Sequence, residues 1–168
     1  MTDRLLSFPN PVNEVAARAV AAGVVAMALG VAVLGWGWLL VPLTYGFVAR
    51  VLTGPKLSPL GLLATRVVAP RLEQHSKLVP GPPKRFAQGI GVAFSATASV
   101  LWLAGAPTAA RVVVALLAGA ALLEAALGFC LGCRIFALLM RVGAIPESVC
   151  EECNDLSVRW ERVAEGVR

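Results

Sequence analysis

The sequence is poor in charged residues and in the side chains that usually carry acid–base chemistry. Only 15% of its 168 residues are charged, and it contains one histidine and one tyrosine. Soluble domains carry about 25% charged residues, and histidine is the most common general acid or base. The composition therefore excludes an ordinary cytosolic enzyme, a disordered chain and a secreted disulfide scaffold.

Apolar residues are abundant instead. They make up 58% of the chain, and the mean hydropathy is +0.76. A soluble domain of this size buries only about two thirds of the surface that its unfolded chain exposes. We therefore expect an integral membrane protein whose main partner is the lipid bilayer. The net charge of +5 then reports loop orientation and does not indicate a nucleic-acid partner.

Long uncharged runs locate the membrane segments. The 31 residues between Arg18 and Arg50 are too many for one span of about 20 residues, and Gly35–Trp38 supplies a turn. Two further runs flank Arg111. The prediction is an all-α integral membrane protein with four transmembrane helices arranged as two hairpins. They cover about 15–35, 37–53, 85–104 and 109–128, followed by an interfacial piece at 134–143.

Basic residues set the predicted orientation. The segment from Arg50 to Arg85, both included, carries seven Lys and Arg residues but one acid, and the positive-inside rule places such a loop in the cytoplasm. Apolar residues at helical spacing in this loop indicate a basic segment lying in the headgroup plane. Both termini and all cysteines are then cytoplasmic at the plasma membrane. Residues 1–145 form the membrane domain, and residues 146–168 form a cytoplasmic tail.

All four cysteines occur in two CxxC pairs, Cys130/Cys133 and Cys150/Cys153. Their separation is typical of a zinc site with four thiolates. The first pair, however, follows a predicted membrane helix, where a zinc knuckle is unusual. A structural protein with this zinc site is therefore one of two main hypotheses.

The other hypothesis is thiol/disulfide or sulfane-sulfur chemistry at the cytoplasmic face. Cys130 would be the attacking thiolate and Cys133 its resolving partner, and Cys150/Cys153 would pass the oxidation or sulfur onward. Arg134 would stabilise the thiolate or an anionic sulfur substrate, and Arg50 would join if the hairpins pack together. Whether catalysis occurs is left open.

Glu124 is an acid within an apolar segment, and such residues usually find a partner inside a bundle. Arg18 is the predicted partner. On a continuous helix Glu124 would point away from Cys130, so a proton relay between them requires a break at Gly128. A small transporter of a sulfur compound is a third hypothesis, but the helices offer few other polar residues. Small residues in all four helices predict close helix contacts, within a chain or in a homo-oligomer.

Four motifs carry a resemblance to a known family: Phe8-Pro-Asn-Pro-Val-Asn-Glu, Ala49-Arg-Val-Leu-Thr-Gly-Pro-Lys-Leu-Ser-Pro, Val79-Pro-Gly-Pro-Pro-Lys-Arg-Phe-Ala-Gln and Gly128-Phe-Cys-Leu-Gly-Cys. The chain resembles, from Phe8 to about Cys153, the bacterial membrane family called domain of unknown function 4395. The resemblance implies, by association, a cytoplasmic thioredoxin-like or sulfurtransferase partner.

Overall fold

The computed structural model describes residues 10–71 and 77–150, and most of them are helical. Two residues of β1 precede the first helix, and two residues of β2 precede the fifth. The elements are β1 Val12–Asn13, α1 Glu14–Ala32, α2 Leu40–Thr53, α3 Pro59–Leu63, α4 Ala69–Arg71, β2 Leu78–Val79, α5 Gly81–Leu103, α6 Pro107–Leu127 and α7 Leu131–Arg141. A single 3₁₀ turn, Gly37–Leu39, leads into α2.

The N-terminal segment fastens the starts of α1 and α5 to each other. Val12 pairs with Val79 in an antiparallel bridge, and the Asn10 side chain accepts a hydrogen bond from the Gly81 N–H. Asn13 caps α1 by accepting from the N–H groups of the next turn, as an N-cap asparagine does. Both helices therefore begin at one end of the bundle.

The bundle is held together mainly by contacts between the two halves of the chain. Helix α1 packs against α6, α2 packs against α5, and α5 also packs against α6, whereas α1 and α2 share few contacts. Alanines such as Ala28, Ala98 and Ala110 are fully buried in the shared core, and small side chains let helices approach closely. Helices α1 and α2 therefore pack mainly on α6 and α5, and the arrangement of residues 15–53 as a hairpin stays a prediction.

The connector after α1 begins earlier than expected. Helix α1 ends at Ala32 and not near residue 35, and Gly35 adopts a positive φ of 73°. Such a conformation ends a helix and is readily adopted by glycine. Trp36 and Trp38 are exposed next to this turn, where indole side chains favour a membrane interface.

Three helices are long and apolar enough to cross a membrane: α1, α5 and α6. The continuous stretch Gly37–Thr53 is shorter; its 17 residues rise about 25 Å, against a hydrocarbon core of about 30 Å. It nevertheless presents an exposed apolar stripe that includes Val41, Tyr45 and Leu52. Three apolar helices therefore support a membrane protein, and the fourth span stays a prediction.

The segment between α2 and α5 is helical over 59–71, with a π-helical turn, Ala64–Val68, between α3 and α4. Ser58 caps α3 and is fully buried, and Leu60 lies against Gly23 of α1. Leu63 and Val67 remain exposed. The segment thus packs on the bundle through one face and presents apolar side chains on the other, as the interfacial prediction requires.

Candidate functional site

A sharp break separates α6 from α7 just before the first CxxC pair. Helix α6 ends at Leu127, and Gly128 takes the left-handed conformation with φ 67°, which favours glycine at a helix C-terminus. A side chain at Gly128 would also press on the Glu14 carboxylate. The break that a link between Glu124 and Cys130 requires is therefore present, and Cys130 is the N-cap of α7.

Cys130 and Cys133 are joined in a disulfide across the first turn of α7. Their Cα atoms lie 5.2 Å apart, and Cys130 Sγ accepts a hydrogen bond from the Cys133 N–H at 3.3 Å. Cys130 is buried and Cys133 is half-buried. The N-terminus of a helix stabilises negative charge, so the position suits Cys130 as the thiolate of a reduced pair.

Cys130 lines a cavity of about 460 Å³ that also touches α1, α2, α5 and α6. Most of the lining side chains are apolar; Glu124 and Gln88 are its polar members besides Cys130. The sequence predicted Glu124 and Cys130 as site residues, and both line this cavity. A group that reacts with Cys130 from this side must fit among apolar side chains.

The ion-pair partner of Glu124 is Lys84, not Arg18. Lys84 Nζ contacts Glu124 Oε1, and the two side chains are 8% and 15% exposed. Arg18 instead donates from Nε to the Ala125 carbonyl at 3.1 Å and from Nη2 to the Ala126 carbonyl at 2.7 Å. It therefore caps the free carbonyls at the end of α6. The predicted Arg18 pairing was wrong because Lys84, in the first turns of α5, faces α6 directly.

Arg50 lies inside the protein at the same end of the bundle. It is only 5% exposed, its Nε donates to Gln88 Oε1 at 2.8 Å, and its Nη1 donates to Ser58 Oγ at 3.1 Å. Its guanidinium carbon lies 4.6 Å from the centre of the Phe47 ring. The sequence analysis placed Arg50 near the site only if the two halves of the chain pack together. Helices α2 and α5 do pack against each other.

Arg134 is placed beside the disulfide but turned toward an aromatic ring. Its guanidinium carbon lies 5.2 Å from the centre of the Phe129 ring, and Phe129 directly precedes Cys130. The side chain is exposed. Stabilisation of a thiolate by Arg134 therefore remains a prediction, since the contact recorded for its guanidinium is to Phe129.

The second cysteine pair lies only partly within the described residues. Cys150 is disulfide-bonded and is buried against Phe136 and Met140. These two α7 residues lie about two to three helical turns from Cys130. Cys153 lies outside the described residues. In residues 10–71 and 77–150 no three His, Cys, Asp or Glu side chains gather as metal ligands do, so the zinc site stays untested.

Helix α7 starts three residues before the predicted interfacial piece at 134–143 and ends at Arg141. It packs against α5, with the Phe86 and Phe136 rings 5.6 Å apart. The position of the first CxxC pair is thus set by α5 as well as by the end of α6.

Comparison with known proteins gives one family. A family model described as a domain of unknown function, DUF4395, matches residues 12–141. No curated protein and no solved structure matches the chain.

Proposed function

Since the chain belongs to the DUF4395 family, whose description assigns no activity, we propose from the chain's own geometry that it is a membrane-bound carrier of thiol–disulfide equivalents. The observation that carries the proposal is the bonded Cys130/Cys133 pair at the start of α7. A pair so close alternates between dithiol and disulfide with little movement of the backbone.

The reaction is dithiol–disulfide exchange with a thioredoxin-like protein. In the reduced chain, the Cys130 thiolate attacks a sulfur of the partner's disulfide, and the other partner sulfur leaves as a thiolate. Cys133 then attacks Cys130 Sγ, closes the Cys130–Cys133 disulfide and releases the second partner thiolate. Two electrons and two protons pass to the partner; in the opposite direction the partner's dithiol reduces the chain. Relative reduction potentials determine the direction.

The geometry supports Cys130 as the attacking group. Its sulfur already accepts the Cys133 N–H and lies at the positive end of α7. Cys150 and Cys153 would relay equivalents between the tail and this pair. In this proposal Cys130 and Cys133 face the cytoplasm, because they lie at the end of the bundle that carries the basic segment.

A single-turnover reaction tests the assignment. The full-length Cys133→Ser/Cys150→Ser/Cys153→Ser variant, which retains Cys130, is mixed in detergent with a thioredoxin whose exposed cysteine carries a thionitrobenzoate disulfide. Attack by Cys130 forms a protein–protein disulfide and releases coloured thionitrobenzoate. The matched control is the Cys130→Ser/Cys150→Ser/Cys153→Ser variant, in which Cys133 is the cysteine that remains.

We expect release by the Cys130 variant to be at least tenfold faster than by the Cys133 variant. Equal rates would contradict the role of Cys130, and absence of adduct with both variants would contradict the proposed partner class. Copurification of about one zinc ion per wild-type chain with four free thiols would favour the structural zinc alternative. An added 32 Da that reductant removes would favour the sulfane-sulfur form of the hypothesis.

A further inference from the structure

We propose that the protein binds a phosphate-type oxyanion in a second pocket beside Arg50. This pocket encloses about 260 Å³ and lies among β1, α1, the end of α2, the α3 segment and α5. Gln88 borders both this pocket and the cavity that contains Cys130. The inference rests on charge and hydrogen bonding alone and is independent of the proposed thiol chemistry.

The pocket is positively charged by two buried side chains. Arg50 and Lys84 both line it and are 5% and 7% exposed. Glu124 neutralises Lys84 through their ion pair. Arg50 bonds to the neutral Gln88 and Ser58, so the group of three charges retains one excess positive charge. A buried cation is costly unless an anion accompanies it.

Arg50 also has an unused donor. Its Nη2 is buried and finds no hydrogen-bond acceptor in the described residues, whereas buried polar groups are normally satisfied. Nε and Nη1 are both engaged, so the guanidinium plane is fixed before any ligand arrives. An oxyanion in the pocket would supply the missing negative charge, and it would be the missing acceptor once it displaces the side chains that shield Nη2 from solvent.

The position of the pocket favours a phosphate group. It lies where α1 and α5 begin and α2 ends, which is the headgroup level of a membrane if these helices cross it. Two sources share the chemistry: inorganic phosphate from solution and the phosphodiester of an anionic phospholipid. The neighbouring exposed Leu63 and Val67 would contact acyl chains only in the lipid case.

Thermal unfolding of the full-length protein in phospholipid-free detergent distinguishes the sources. One titration uses sodium phosphate against sodium chloride at constant ionic strength. The other adds phosphatidylglycerol, with phosphatidylcholine as the zwitterionic control. A ligand that binds only the folded state raises Tm in a saturable manner. A rise with inorganic phosphate indicates a free oxyanion, and a rise with phosphatidylglycerol alone indicates a lipid headgroup.

Variants link the effect to the pocket. Arg50→Gln removes the charge and the unused donor, and we expect at least tenfold weaker binding. Arg66→Gln removes an exposed positive charge from the same region and should bind like wild type. If Arg50→Gln fails to fold, Thr65→Met narrows the pocket without replacing a partner of Arg50. The proposal fails if neither titration raises Tm, or if the folded pocket variants keep the wild-type affinity.

Discussion

Gly132 lies directly against Ala87, so that the middle of the Cys130-x-x-Cys133 turn rests on the backbone of α5. A Cβ atom added to Gly132 would collide with both Cα and Cβ of Ala87. The Phe86–Phe136 ring contact continues the same interface one turn further along. Gly132 therefore permits the close approach that fixes the disulfide relative to the cavity.

A large side chain at this contact should move the redox pair. We expect Gly132→Leu to separate α7 from α5, to lower stability by about 1–3 kcal/mol as overpacking does, and to speed reduction of the disulfide by dithiothreitol. Gly89→Leu is the control, because no heavy atom lies within 4 Å of a Cβ added there, and Gly89 is not among the described residues that line the cavity beside Cys130. Thermal unfolding and reduction kinetics check the prediction. Equal effects of the two variants would show that the Gly132 contact is dispensable.

The buried Lys84–Glu124 pair should be strongly coupled. Removal of one partner leaves an unpaired charge, so Lys84→Met or Glu124→Met should each destabilise the protein by about 3–5 kcal/mol. The double variant Lys84→Met/Glu124→Met should recover most of this loss. Denaturant unfolding of all four proteins in the same detergent gives the coupling free energy. Additive losses would contradict the paired arrangement.

The break at Gly128 should be intolerant of a side chain. We expect Gly128→Ala to cost about 1–2 kcal/mol for the left-handed conformation, and the Glu14 carboxylate must shift to make room for the added Cβ. Gly89→Ala is the control, because an added Cβ at this helical glycine meets nothing within 4 Å, and alanine is the better helix former. Unfolding measurements should show Gly128→Ala less stable and Gly89→Ala at least as stable as wild type.

Single-cysteine labelling decides the number of spans and the orientation. In a cysteine-free chain expressed in intact cells, Leu34→Cys and Gly105→Cys should react with a membrane-impermeant maleimide, because the predicted four spans with a cytoplasmic basic segment would place both connectors outside. Arg66→Cys should react only after permeabilisation, as the positive-inside rule requires. Labelling of Arg66→Cys in intact cells would show that the orientation is opposite to the predicted one. Opposite accessibility of Leu34→Cys and Gly105→Cys would show that one hairpin fails to cross.

The sequence predicted the features that depend on local composition. Uncharged runs located α1, α5 and α6, and Gly128 was identified as the required break, because hydropathy and backbone freedom are properties of short segments. The inward role of Lys84 was harder to foresee. It was counted only as a loop charge, and whether a basic residue at a helix end turns inward depends on which distant helix it faces. The Arg18 prediction failed for the same reason.

A redox titration of the wild-type protein tests the central claim most directly. The protein is equilibrated in glutathione buffers of defined potential and alkylated. The mass of the peptide that contains Cys130 and Cys133 is then measured. We predict that the two alkyl groups are lost together as the buffer becomes more oxidising. The ratio of disulfide to dithiol should change tenfold for about every 30 mV, as a two-electron couple requires. Full alkylation of Cys130 and Cys133 at every potential, or a disulfide that stays closed in the most reducing buffer, would contradict the claim that this pair carries redox equivalents.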